Sequence, residues 1–460
     1  MAEQRLYAPT ALLPEGWADD VVLTIGEDGA LVSVEAGAAP GGAARLPGPV
    51  VPGMPNLHSH AFQRAMAGTA EHRSQHGGGD DSFWTWREAM YRSLAALGPD
   101  ELQAVAAWLY VECLEGGFTS VGEFHYVHHD VDGQAYADPA ELSRRVVAAA
   151  RAAGIGLTHL PVLYMAGGIG QPPTAGQRRF LWDPAGLLAL VEALRQEAAG
   201  DPLLEVGIAP HSLRAVPLER MAALVADLDA VAPGAPIHIH VAEQVAEVEA
   251  VRAAHGQRPV QALLDQVGLD ARWCLVHATH IDAAEQAGLL RAGAVAGLCP
   301  STEASLGDGL FPAVAHIGAG GAFGIGTDSH VCRDAAEELR LLELGQRLRH
   351  QRRVLLLPPG ARHVGSALWA AAARGGAQAL GQAVGALRPG ARADLVVLDG
   401  AHPDLIALEG PALLDQLVFG GAKGLIDEVW VAGRRRVTRG RHVHRARLGR
   451  AFAAALRRLR

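Results

Sequence analysis

Eight short apolar runs recur through the middle of the chain: Val50–Leu57, Thr119–Phe124, Ile155–Leu163, Leu204–Ala209, Pro236–Val241, Trp273–Val276, Ala294–Leu298 and Ala322–Gly326. Amphipathic stretches long enough to be helices separate most of them, Asp100–Glu115 and Pro184–Ala199 among them. Parallel strands need a crossover of a dozen or more residues between them, and helices on their faces make them read as continuous apolar segments. That rhythm predicts an α/β fold, a (β/α)8 TIM-like barrel spanning residues 51–384.

The two ends read differently. Val21–Ile25, a Gly-Glu-Asp-Gly turn and Leu31–Val34 form a hairpin pattern, followed by an Ala/Gly/Pro-rich connector over Ala36–Arg45. Strand and turn signals return at Leu395–Asp399 and Glu428–Gly433. Residues 1–50 and 385–460 are therefore expected to build one small β-sandwich-like domain from both chain ends. The final stretch, from Arg434 to Arg460, has many arginines and no acidic residue. Leu448, Phe452, Leu456 and Leu459 share one helical face, so it reads as a docked helix with a solvated basic side, in preference to an anion-binding tail.

Composition narrows the function classes. Hydrophobic residues make up 49% and charged residues 19% of 460, which describes a compact globular chain. A net charge of −9 argues against a general nucleic-acid binder. Cys113, Cys274, Cys299 and Cys332 lack Cys-x-x-Cys spacing and read as reduced thiols. The N-terminus has no basic segment followed by an apolar core, and no apolar run has the length of a membrane span. A cytoplasmic location with no membrane partner is the expectation.

In such a barrel the chemistry lies at the C-terminal ends of the strands. His58 and His60 close the first strand, and residues i and i+2 of a strand share a face. His240 ends the fifth and Asp328 the eighth. Three imidazoles and a carboxylate suit one divalent metal ion, Zn2+ by preference, with a position left open for water. His238 lies one layer deeper and reads as an interior hydrogen-bonded histidine; His330 reads as a support for the ligands. Glu243, three residues past His240, is placed to move a proton from a metal-activated water to a leaving group. His277 ends the sixth strand and is preferred over His280 for stabilising the reacting centre. Gly77-Gly78-Gly79-Asp80-Asp81 reads as a loop of the kind found in lids.

The combination of Pro-Gly-Met-Pro-Asn-Leu-His-Ser-His, His-Ile-His-Val-Ala-Glu-Gln, Leu-Val-His-Ala-Thr-His and Gly-Thr-Asp-Ser-His resembles the amidohydrolase superfamily, and within it the mononuclear zinc deaminases. Where binuclear relatives carry a bridging lysine on strand four, this chain has Ala209-Pro210-His211, which implies one metal. Four further segments, starting at His60, Phe83, Glu123 and Ala209, are similar to the formimidoylglutamate deiminases. That resemblance implies hydrolysis of N-formimino-L-glutamate to its formyl product and ammonia in histidine degradation. It assigns catalysis to Glu243, His277 and Asp328 and substrate binding to Gln63, Arg87, Tyr126, His211 and Arg214. It also implies a homodimer.

The substrate's two carboxylates suit arginine forks, although without the resemblance either arginine alone reads more readily as a surface ion-pair partner. His125, His128 and His129 read as loop or supporting residues, with no second metal. The rival enzymatic reading is a guanine or adenosine deaminase on the same scaffold; the rival outside enzymes is a non-catalytic descendant, against which intact Glu243 and His277 argue.

Overall fold

The computed structural model describes residues 3–73, 81–358 and 360–459. In chain order its strands are β1 (Gln4–Leu13), β2 (Gly16–Ile25), β3 (Leu31–Glu35), β4 (Ala44–Arg45), β5 (Val50–Pro52), β6 (Met54–Ser59), β7 (Phe118–His125), β8 (Gly156–Leu163), β9 (Leu204–Val206) and β10 (Ala209–Pro210). There follow β11 (Ile237–Val241), β12 (Trp273–His277), β13 (Val295–Leu298), β14 (Phe323–Ile325), β15 (Leu395–Leu398), β16 (Ile426–Val431), β17 (Arg434–Thr438) and β18 (Arg441–His442).

They sort into two sheets. The all-parallel one runs β10-β8-β7-β6-β14-β13-β12-β11, with β9 on β8. Parallel bridges Ile208↔Ile237 and Ser212↔His240 join its two ends, so the sheet closes into the (β/α)8 barrel. Strand four of the barrel is split into β9 and β10 at Gly207, where a side chain would collide with the Pro236 carbonyl.

The other sheet runs β18-β17-β16-β15-β5-β1-β2-β3, with β4 on β1, and so interleaves both chain ends. Its central contact pairs Val51 of β5 with Val396 of β15. The expected single strand Val50–Leu57 is thus two strands in two sheets, exchanged at Gly53. The Gly53 N–H donates to the Asp394 carbonyl (3.0 Å), and the next N–H, of Met54, donates to the Gly117 carbonyl (3.1 Å). A Cβ at Gly53 would collide with the Thr119 side chain, so only glycine lets the chain pass between the sheets there.

The Arg445–Leu459 helix buries Leu448, Phe452 and Ala455 and packs against the Pro99–Glu115 helix. Phe452 stacks on Trp108, ring centroids 5.8 Å apart at 15°. Its basic side pairs with acidic groups of that helix, Arg445 with Glu115 and Arg458 with Glu101. Among the described residues no helix is long and apolar enough to cross a membrane. The glycine loop expected over Gly77–Asp81 lies outside the described residues apart from Asp81.

Candidate active site

The strand ends at the C-terminal mouth of the barrel are tied together by the backbone. The Thr327 and Asp328 N–H groups donate to the His58 carbonyl (3.1 and 3.0 Å), and the His60 N–H donates to the Asp328 carbonyl (3.3 Å). Buried Asn56 reinforces this seam, donating to Thr327 Oγ1 (2.8 Å) and accepting from the Thr327 N–H (3.0 Å). At or just past the strand ends the backbone enters the left-handed region at non-glycine residues: Ala242 (φ 51°), His277 (66°), Ala278 (48°), Asp328 (45°) and His330 (65°). Such conformations cost of order 1–3 kcal/mol each and persist where surrounding structure imposes them.

His58, His60, His240 and Asp328 meet at one point: one donor atom of each lies within 4.8 Å of all the others. His60 Nε2 is 3.2 Å from His58 Nε2 and 3.3 Å from His240 Nε2, and Asp328 Oδ1 is 3.3 Å from His60 Nε2 and 3.6 Å from His58 Nε2. The opposite ring nitrogens show why. His60 Nδ1 donates to the Phe124 carbonyl (3.0 Å) and His240 Nδ1 to the His211 carbonyl (3.2 Å). A carbonyl only accepts, so the ring proton sits on Nδ1 and the Nε2 lone pairs face one another. Burial holds all three imidazoles neutral, well below their usual pKa and at about 3 for His60. Converging neutral lone pairs beside a carboxylate repel unless a cation joins them, so this donor set fits a metal ion.

His277 and Glu243 stand against this group. His277 Nε2 is 3.7 Å from Asp328 Oδ2 and 3.8 Å from Glu243 Oε1. Its Nδ1 is 3.2 Å from Glu303 Oε1. Burial lowers the His277 pKa, but the carboxylates of Glu243, Glu303 and Asp328 outweigh it and raise the value to about 10. Burial pushes the Asp328 carboxyl up to about 7, against the opposing pull of His277.

A cavity opens above these groups and touches Gln63, Arg87, Tyr126, His211 and Arg214 together with His60, His240, Glu243, His277 and Asp328. Phe83, Trp86, Tyr91, Tyr164 and Phe180 form its aromatic wall. The Phe83–Ser93 helix presents Phe83, Trp86, Arg87, Met90 and Tyr91 on one face, the spacing of a single helical stripe. Gln63 donates to the Tyr126 hydroxyl (2.9 Å), while its Oε1 is buried with no protein partner. Arg214 Nη2 lies 3.4 Å from Glu243 Oε2 and its Nε 3.8 Å from Glu247 Oε2. The Arg87 guanidinium sits 4.6 Å from the Trp84 ring centroid. His211 packs its ring 5.1 Å from that of His240.

The other histidines fall elsewhere. His238 Nε2 bonds the Ala379 carbonyl (2.7 Å) beneath the site, and His330 bonds Thr327 Oγ1 and the His60 carbonyl (each 3.0 Å). His280 faces a separate surface depression with Val245 and Arg258. His128 and His129 bond the Val162 and Leu181 carbonyls. His125 packs against His128 and His159. Glu303 escaped the sequence reading: it comes from a short helix, Pro300–Leu306, and the only signal was an acidic residue five positions past the end of a barrel strand. Glu123 escaped it too; it accepts from Ser59 Oγ (2.7 Å) and the Ala61 N–H (2.6 Å), bracing the His58–His60 turn.

Comparison with known proteins agrees with this architecture. The amidohydrolase family model matches residues 50–436, and the model described as formimidoylglutamate deiminase HutF, N-terminal domain, matches residues 4–48. A formimidoylglutamate deiminase of Pseudomonas aeruginosa is 53% identical over 98% of both chains. The crystal structure of an amidohydrolase from Brucella melitensis superposes with a TM-score of 0.92, at 46% identity over 99% of both chains. An adenosine deaminase from Xanthomonas campestris with bound zinc shares the fold, with a TM-score of 0.82 at 22% identity over 99% of this chain and 98% of its own. The chain belongs to the amidohydrolase family of hydrolases, in its formimidoylglutamate deiminase branch.

Proposed function

We propose that this enzyme hydrolyses N-formimino-L-glutamate to N-formyl-L-glutamate and ammonia, a step of histidine degradation. The observation that carries the reading is one cavity in which two arginines stand over a proton-transfer pair and a metal-binding group. The Pseudomonas aeruginosa relative supports it.

In this reading His58, His60, His240 and Asp328 hold one divalent ion, Zn2+ by preference. When bound, the ion supplies Lewis acidity that makes water a nucleophile near neutral pH. Glu243 accepts the proton of the attacking water and hands it to the amidine nitrogen, so that ammonia departs from the tetrahedral carbon. His277, kept cationic by its carboxylate neighbours, donates from Nε2 toward the oxygen that gains charge. Asp328 assists through its second carboxylate oxygen. Arg87 and Arg214 take the substrate's two carboxylates, Gln63 and Tyr126 orient the formimino end, and His211 closes the wall between them. The aromatic surround excludes bulk water and strengthens each of these interactions.

The same reading takes the barrel, from Gly53 to residue 384, as the catalytic domain, the two chain ends including β5 as the second, and a cytoplasmic homodimer as the working form. Ammonia release measured side by side from N-formimino-L-glutamate, guanine and adenosine tests it. Turnover of the formimino acid alone is expected, and activity on a purine without it would reject the assignment.

A further inference from the structure

Asp328 points its two oxygens at different neighbours. Oδ1 faces His60 and His58 at 3.3 and 3.6 Å, while Oδ2 faces His277 Nε2 at 3.7 Å. Close by lies the thiol of Cys299, in the residue that follows β13, fully buried. One donor atom each of His277, Cys299 and Asp328 lies within 4.8 Å of the other two, so these residues form a compact nitrogen, sulfur and oxygen set adjoining the histidine group. Glu243 Oε1 lies 3.8 Å from the same His277 nitrogen. His277 Nδ1 is already engaged by Glu303, which turns Nε2 toward this pocket.

We propose that His277, Cys299 and Asp328 form a second, inhibitory site for a thiophilic divalent cation, with Asp328 bridging to the ion held by His58, His60 and His240. The assignment goes beyond the deimination chemistry, though the bridge rests on that first ion being present. The donor set explains the selectivity: a thiolate favours soft and borderline ions such as cadmium or excess zinc over magnesium or calcium. Binding forms a metal–sulfur and a metal–nitrogen bond and breaks the Cys299 S–H and His277 Nε2–H bonds, both protons passing to solvent through the cavity; no electron moves. The location explains the inhibition. A cation there occupies His277 Nε2 and neutralises Glu243, the two groups that handle protons, so turnover falls steeply even though the first ion stays in place.

The test uses purified enzyme carrying its resident ion. Cadmium is added in increments while bound metals are counted after dialysis, the thiolate-to-cadmium charge-transfer absorption is followed in the ultraviolet, and initial rates are taken. The expected result is one retained resident ion plus one cadmium per chain, appearance of the charge-transfer band, and a rate loss of about 10²-fold, the scale of losing a transition-state donor. C299S and C299A, the first keeping the volume, should keep basal turnover while losing the second equivalent, the band and the sensitivity. Cadmium that merely replaces the resident ion one for one would overturn the proposal, as would inhibition that survives unchanged in both variants. Enzyme that contains no resident ion and works without one would instead refute the metal-dependent deimination reading, a result seen in the first metal count before any cadmium is added.

Discussion

The Nδ1 atom of His277 lies 3.2 Å from a carboxylate oxygen of Glu303, and both side chains are buried. A carboxylate accepts, so Nδ1 donates, and this fixes both the ring's rotation and the nitrogen it presents to the cavity. The Cys299 N–H donates to the same oxygen at 2.9 Å, so Glu303 is itself held. E303Q should therefore lower kcat by about 10- to 100-fold, the usual scale for losing a partner that orients a working histidine. KM should move little, and E303D should recover part of the loss. Steady-state kinetics with circular dichroism of each variant checks this; a rise in KM alone would place Glu303 in substrate binding.

Glu243 is a proton carrier in the proposed reaction and not one of the four converging ligands. E243Q should reduce turnover by about 10²- to 10⁴-fold while leaving bound metal per chain at the wild-type level. Chelation, by contrast, should remove both metal and activity. Atomic emission on the same samples used for kinetics separates the two, and a metal-depleted E243Q protein would show that Glu243 belongs to the coordination sphere.

Arg214 pairs with Glu243 at 3.4 Å in the free enzyme, so a substrate carboxylate must draw the guanidinium away from the base. R214M should cost about 30- to 5000-fold in kcat/KM, matching the roughly 2–5 kcal/mol typical of a truncated buried charge pair. R214K should rescue poorly, because a point charge does not replace a fork. Substrates lacking one carboxylate should lose less in R214M than in wild type if Arg214 binds that group.

Two buried carboxyls away from solvent set a pH trend in stability. Burial pushes Glu338 up to about 8 and Glu123 up to about 7, in each case against the opposing hydrogen bonds they accept. A carboxyl raised in the folded state favours folding while protonated. Its contribution is complete below the ordinary value of 4.5 and is lost as pH climbs through the folded value. E338Q, which can still meet Ser301, should therefore flatten the fall in Tm between pH 5 and 8. Thermal melts of both proteins across that range test it, and parallel curves would mean Glu338 ionises freely in the fold.

Much of this arrangement was legible before any coordinates. The barrel strands announced themselves because parallel strands covered on both faces must be continuously apolar. His58 and His60 were visible because the two-residue strand repeat puts them side by side. β1 was not read as a strand, since Pro9 interrupts it and proline demotes a strand pattern. The split of Val50–Leu57 was hidden because Gly53 changes which sheet the chain belongs to without changing its apolar character. Glu123 and Glu338 carry no spacing signal and Glu303 only its place just past a strand end: each acts through partners distant in sequence, and single carboxylates on helices or strands are usually solvated. The aromatic wall of the Phe83–Ser93 helix becomes a wall only once the barrel mouth supplies something to face.

Gly53 also sets the parity of the histidines. A strand turns alternate residues to opposite sides, so one residue gained or lost between the crossing point and His58 would rotate both imidazoles away from the barrel axis. The glycine that hands the chain from one sheet to the other is thus an anchor of timing along β6, five residues upstream of the first imidazole. An insertion after Gly53 should leave a chain whose terminal sheet still pairs Val51 with Val396, yet whose barrel points the wrong faces inward.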